Sequence, residues 1–225
     1  MNKKFAVVIL LAVLFSISRA RAATEPEIFI TWRAFSYAPS DFRGKILPSP
    51  RTPIAASFTV LENGKAANLS QETVYWYLDN ALVYSGRGLQ TASLSGSEAE
   101  GSFSRLRVQI NDYRGRGELV VKTILIPTVS PEAVIAAPFS GDRFSSVNVR
   151  LDAIPYFFNV TLRDHLSFIW NVNGQTPTSI EDPATLYMNL AGVAPNSNIA
   201  VSLRAQNPAR GAENASAART FIFSP

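Results

Sequence analysis

The chain repeats itself. Trp76-Tyr77-Leu78-Asp79-Asn80 is answered 94 residues later by Trp170-Asn171-Val172-Asn173-Gly174. The run Leu106, Val108, Ile110 is answered 93 residues later by Ile199, Val201, Leu203, and Gly115 is answered 96 later by Gly211. Three echoes at nearly one offset imply a tandem duplication of a unit of about a hundred residues. Each unit must then close a core of its own within that length.

The period inside the unit is that of strands. Leu106, Val108 and Ile110 alternate with Arg105, Arg107 and Gln109, so one set turns inward and the other meets water. Ala56, Phe58 and Val60 correspond to Val149, Leu151 and Ala153. Val74, Trp76 and Leu78 correspond to Phe168, Trp170 and Val172. The closing strands are Leu119 to Ile126 and Arg219 to Phe223. Asn63-Gly64, Asp79-Asn80 and Asn173-Gly174 supply residues that tolerate positive φ, as tight hairpins demand. No long helical stripe interrupts the pattern, although Ser97 to Ser102 suits a turn or a single helical turn. Seven or so short strands per unit predict an all-β chain of two tandem β-sandwiches.

A tryptophan on the third strand, a hairpin after it and a long alternating sixth strand resemble the Ig-like sandwiches. The bacterial Ig-like, PKD-like and cadherin-like modules of secreted or cell-surface proteins are the nearest group. The resemblance implies that Trp76 and Trp170 pin the gap between two sheets. The cysteine pair of true immunoglobulins is missing, and Phe58 and Val108 are of a size to fill that space. Only part of the PKD signature follows Trp76, and no tyrosine corner is evident. Trp32 lies in Glu27 to Phe35, where both faces are partly apolar, and suits either burial or contact.

Residues 1–22 read as a secretory signal. Lys3 and Lys4 precede the apolar run Phe5 to Phe15, and Ala20-Arg21-Ala22 places small residues at the cleavage positions. The run is short for a bilayer span, which takes roughly 20 residues; retention as an anchor is the alternative. The expected location is extracellular, cell-surface or periplasmic, with no transmembrane segment in the mature chain. The chain carries 21 basic and 17 acidic residues, and the signal holds four of the bases and no acid. The mature chain is therefore formally neutral, which argues against nucleic acid as a partner. The absence of cysteine excludes disulfides and thiolate chemistry, and in an exported chain it looks bacterial. Asn159-Val160-Thr161, like two other sites, matches the glycan acceptor pattern, to which such a setting gives little weight.

The organisation expected is a signal peptide at 1–22, an Ig-like sandwich at 23–127, a linker at 128–131 and a second Ig-like sandwich at 132–225. Pro127 and Pro131 stiffen the link.

Chemistry is thinly supplied, and an enzyme is not expected. The one histidine, His165, adjoins Asp164, but neighbours on a strand point to opposite faces. No nucleophile elbow occurs. Glu98 with Glu100, and Glu181 with Asp182, fall in polar loops. No cofactor or metal is called for; loop calcium remains open, without an Asp-x-Asp-x-Asp series to hold it.

The candidate binding surface has three parts. Tyr75 and Tyr77 flank Trp76 and so face outward, either as a contact surface or as cross-strand pairs that steady the sheet. Arg114 and Arg116 sit in a glycine-rich loop, as a recognition loop or a solvated hairpin tip. Tyr37 and Phe42 lie in the long connection Tyr37 to Pro48, which either caps a sheet edge or recognises a partner. The function expected is that of a secreted, non-catalytic surface or envelope protein serving adhesion, assembly or spacing. Its partner would be an envelope protein or a glycan of unknown identity. The alternative is a pair of carbohydrate-binding modules with the two tyrosines as a stacking platform.

Overall fold

A computed structural model describes residues 25–225 apart from 140, 179 and 180. The signal segment 1–22 lies outside the described residues.

The first unit holds β1 (Glu27–Ala34), β2 (Pro53–Glu62), β3 (Lys65–Ala66), β4 (Thr73–Leu78), β5 (Ala81–Arg87), β6 (Thr91–Ser95), β7 (Phe103–Tyr113) and β8 (Glu118–Pro127). The second holds β9 (Glu132–Ala136), β10 (Arg143–Phe144), β11 (Asn148–Tyr156), β12 (Ser167–Val172), β13 (Thr185–Asn189), β14 (Asn198–Gln206) and β15 (Asn214–Phe223). In the first unit β1, β6 and the short β3 all pair with β2, and the other sheet runs β5-β4-β7-β8. In the second the sheets run β13-β11-β9 and β10-β15-β14-β12. Each unit thus joins its opening strands to a later one in one sheet. The tryptophan strand lies beside the last two strands in the other. That is the strand order of an Ig-like sandwich, and the architecture is all-β in tandem. Ser97 to Ser102 forms a turn tied by the Ser97 and Ser102 hydroxyls, and Arg163–His165 is a single 3-10 turn.

Each unit closes its own core. Trp76 and Trp170 are both completely buried, the first with Phe58, Val60 and Val108, the second with Leu151, Leu203 and Phe221. Phe58 meets Trp76 edge to face at 5.4 Å, filling the centre without a disulfide. Both indoles solve their polar problem alike. Trp76 Nε1 donates to the Leu89 carbonyl at 2.9 Å and Trp170 Nε1 to the Pro183 carbonyl at 3.0 Å, each acceptor 13 residues downstream. The turn after each tryptophan strand is also shared. Asp79 and Asn173 both take positive φ, 49° and 50°. Their side chains accept the Arg105 and Ala200 amides at 2.7 and 2.8 Å, locking the start of the facing strand.

One echo is displaced. Trp76 lies opposite Val108 and Trp170 opposite Leu203, so β7 and β14 correspond at an offset of 95, not 93. A two-residue slip leaves every side chain on its own face, so alternation cannot detect it.

Trp32 points inward beside Ala56 but stays half-buried, with Lys45 Nζ 3.8 Å from its ring centre. Its outward neighbours Phe29 and Phe35 are exposed.

Candidate functional site

The first structured feature outside the cores is the junction. Residues 35–52 leave β1, cross to the second unit and return to β2. Tyr37 N–H donates to the Phe158 carbonyl and Phe157 N–H donates to the Tyr37 carbonyl, both at 2.7 Å. Tyr37 thus commits both of its backbone groups to consecutive residues of the second unit. Phe42 meets the rings of Tyr156 and Phe157 edge to face at 5.6 and 5.9 Å. Phe157 holds φ 62°, a conformation costly for a bulky side chain and retained here by contacts on both sides. Tyr37 also packs on the cluster of Phe158, Val160, Leu166 and Ala205. Burial is the leading cause that pushes its hydroxyl above the ordinary 10.0.

A polar core completes the junction. Asn159 Oδ1 accepts the Thr52 hydroxyl at 2.5 Å, and its Nδ2 donates to Ser49 Oγ at 3.1 Å and to the Pro50 carbonyl at 3.0 Å. The Glu213 carboxylate accepts the Asn159 amide at 2.6 Å, Asn207 Nδ2 at 2.6 Å and, at 3.3 Å, the Ser49 hydroxyl. Ser49, Thr52 and Asn207 are buried. Buried polar groups cost free energy unless matched, so this set specifies one arrangement of the two units. Beside it opens a cleft of about 730 Å³ lined by Arg51, Glu98, Glu100, Arg210 and Glu213. Its charges are partly taken up already. Arg51 pairs with Glu98 at 3.2 Å, and Glu100 accepts the Ser130 hydroxyl at 2.7 Å.

The second feature is the outward face of the sheet β5-β4-β7-β8. Its register sets Leu82, Tyr77, Arg107 and Thr123 in one row across the strands. Ser85, Tyr75, Gln109 and Val121 form the next row. Tyr75 and Tyr77 do face away from the core and are half-buried among their neighbours. Arg107 stacks its guanidinium 4.1 Å from the Tyr77 ring centre. Leu82, Val121 and Leu125 leave 52, 46 and 56 per cent of their surface in water.

The remaining sequence candidates divide. Arg114 is engaged within its own unit: its guanidinium meets Glu62 at 3.1 Å and lies over the Tyr113 ring. The Glu62 carboxylate stabilises that positive charge. Arg116 is exposed at the hairpin tip. Tyr37 and Phe42 do not form a free recognition loop, because their partners are Tyr156, Phe157 and Phe158 of the second unit. The structure therefore brings Tyr75 and Tyr77 together and sends the other four elsewhere. His165 is exposed on its 3-10 turn, and Asp182 binds the Ala184 amide and the Thr185 hydroxyl within its own loop. No group of three or more His, Asp or Glu suited to a metal occurs among the described residues.

Ser49, Thr52, Asn207 and Glu213 were not singled out by sequence. They are scattered along the chain and carry no motif. The one hint was Phe157-Phe158-Asn159, adjacent aromatics that break the strand alternation.

No family model matches the chain, and no curated protein matches it in sequence. Among solved structures, it is similar to the three N-terminal domains of the highly immunogenic outer capsid protein of bacteriophage RB49. The TM-score is 0.46 at 14% identity, over 90% of this chain and 59% of that one. It is also similar to the fibronectin(III)-like modules of Clostridium thermocellum CbhA, with a TM-score of 0.30 at 15% identity over 87% and 93% of the two chains. A third is the Bacteroides ovatus glucan-utilisation protein SGBP-B, solved with a mixed-linkage heptasaccharide. There the TM-score is 0.27 at 13% identity, over 89% and 48%. At these scores the fold assignment rests on the strand order above.

Proposed function

We propose that the chain is an exported, non-catalytic module of a cell envelope, serving adhesion, assembly or spacing through two sandwiches held at a fixed angle. The observation that carries this reading is the junction. Asn159 binds Ser49, Pro50 and Thr52 of the first unit and draws Glu213 of the second into the same network. A flexible tether between independent binders would need no such buried polar core. A spacer that sets distance and orientation does. The basic start at Lys3 and Lys4 and the apolar run after it support export.

The carbohydrate reading draws less support. A sugar stacks on an open aromatic face, and one face of Tyr77 is covered by the Arg107 guanidinium. Its partner is accordingly read as a protein.

The test is small-angle scattering on the secreted chain, expressed with its own leader and collected after export. The profile should fit one arrangement of the two units, and Asn159→Ala should broaden it. A wild-type profile that requires a wide range of interdomain angles would remove the spacer reading.

A further inference from the structure

Resting on that reading of a non-catalytic binding module, we infer that the outward face of β5-β4-β7-β8 docks an acidic protein surface, with carboxylates set around aliphatic side chains.

The composition of the face argues for docking. Leu82, Val121 and Leu125 expose much of their surface on the two edge strands β5 and β8, and Tyr75 and Tyr77 stand on β4 between those edges. Single exposed apolar residues are ordinary on any protein, but here three share one sheet face, in adjoining rows, with two tyrosines. Tyrosine and arginine are the residue types that dominate binding energy at such patches. Arg107 supplies both features at once. It lies on Tyr77, so its long side chain is pre-ordered, and its Nε is buried with no acceptor among the described residues. A guanidinium already fixed in place loses little freedom when a carboxylate arrives.

Charge selects the occupant. The outward rows carry Arg87, Arg105 and Arg107 against a single carboxylate, that of Asp79, which is taken up by the Arg105 backbone amide. The whole mature chain is neutral, so this is a local asymmetry rather than a global excess. A second copy docking through the same face about a two-fold axis would set arginine against arginine. An acidic partner meets complementary charge instead, which speeds encounter and fixes register. The equivalent face of the second unit offers Asn171, Ser202 and Ser216 beside Arg204, with Ile169 as its one large aliphatic side chain half in water. Docking is therefore assigned to the first unit alone.

The experiment pans a library of short displayed peptides against the immobilised secreted chain. Enriched peptides should interleave Asp or Glu with aliphatic residues. A synthetic copy of the most enriched one should weaken about tenfold on Leu125→Ser and more on Arg105→Glu. Both side chains are exposed, so both variants should retain the wild-type circular dichroism and thermal transition. Ile169→Ser, on the second unit's outer face, should bind as the wild type does. Rising salt should weaken binding.

Several results overturn the inference. These are no enrichment, enrichment of basic or uncharged peptides, or acidic peptides that bind both variants as well as wild type. Dimerisation of the chain that Arg105→Glu abolishes, or glycan binding lost with Tyr77→Ala, would do the same. Failure of the scattering test would leave this result standing, because the face belongs to one unit and needs no fixed angle.

Discussion

The two sandwiches agree inside and differ outside. Trp76 and Trp170 occupy equivalent places, donate to carbonyls the same distance downstream, and are followed by turns with the same φ and the same side-chain lock. Their outer surfaces share none of this. The first unit adds β5 at the edge of its tryptophan sheet and covers that sheet's outer face with tyrosine, arginine and aliphatic residues. Among the described residues the second has no strand at that place, only an isolated bridge between Val172 and Gln175. It adds β10, parallel to β15, at the opposite edge, and its outer face is mostly small and polar. A duplicated core that stays fixed while the exteriors diverge separates the residues that build the sandwich from those free to take on a task.

The comparison breaks first at the pins. Trp76→Ala and Trp170→Ala should each cost about 3–5 kcal/mol and destabilise mainly their own unit. Chemical denaturation followed by far-UV circular dichroism, which reads both units, checks this. One shared transition, lowered equally by either change, would mean that the junction welds the two cores into one cooperative body.

Next comes the junction itself. Asn159→Leu takes away the acceptor of the buried Thr52 hydroxyl and the donor to Ser49 Oγ and the Pro50 carbonyl, at a cost of about 2–3 kcal/mol. Two resolved calorimetric transitions should replace a closer-coupled pair. The matched turns sharpen the likeness. Asp79→Ala and Asn173→Ala each lose one hydrogen bond and leave alanine at positive φ, about 1–2 kcal/mol apiece. Equal losses in the two units would mark the turn as part of the shared core.

A smaller effect distinguishes the second unit by acid. The Ala184 amide, followed by the Thr185 hydroxyl, holds the Asp182 carboxyl below its ordinary 3.8. A depressed folded pKa gives stability that is complete above the unfolded value and lost as pH falls through the folded one. Acidification below about pH 4 should therefore weaken the second unit more in wild type than in Asp182→Asn. Thermal scans between neutral and acid pH measure the difference. The smallest expected effect is on stability at the outer faces. Leu125→Ser and Ile169→Ser should both stay within about 0.5 kcal/mol of wild type.

The sequence made the strands, the turns and the tryptophan pins legible, because burial in a sheet writes itself as a two-residue period and positive φ writes itself as Asn, Asp or Gly. It misplaced the correspondence of β7 and β14, since a slip of one period is silent to that rule. It placed Tyr75 and Tyr77 outward correctly from the alternation about Trp76. It could not see that Tyr37 and Phe42 would be consumed by Tyr156, Phe157 and Phe158. Contacts between distant segments depend on where the connection travels, which no local pattern encodes. The Asn159 network was hidden for the same reason, its members separated by as many as 164 residues.

The connection at 35–52 departs from one sandwich, fastens to the other and returns before the first is complete. A gene rearrangement that moved either module alone would carry away half a clasp. It would leave Ser49 and Thr52 facing water, or Phe157 in a costly backbone conformation with nothing to hold it. Modules joined by simple tethers can be shuffled like beads. These two are bound to travel through evolution as a couple.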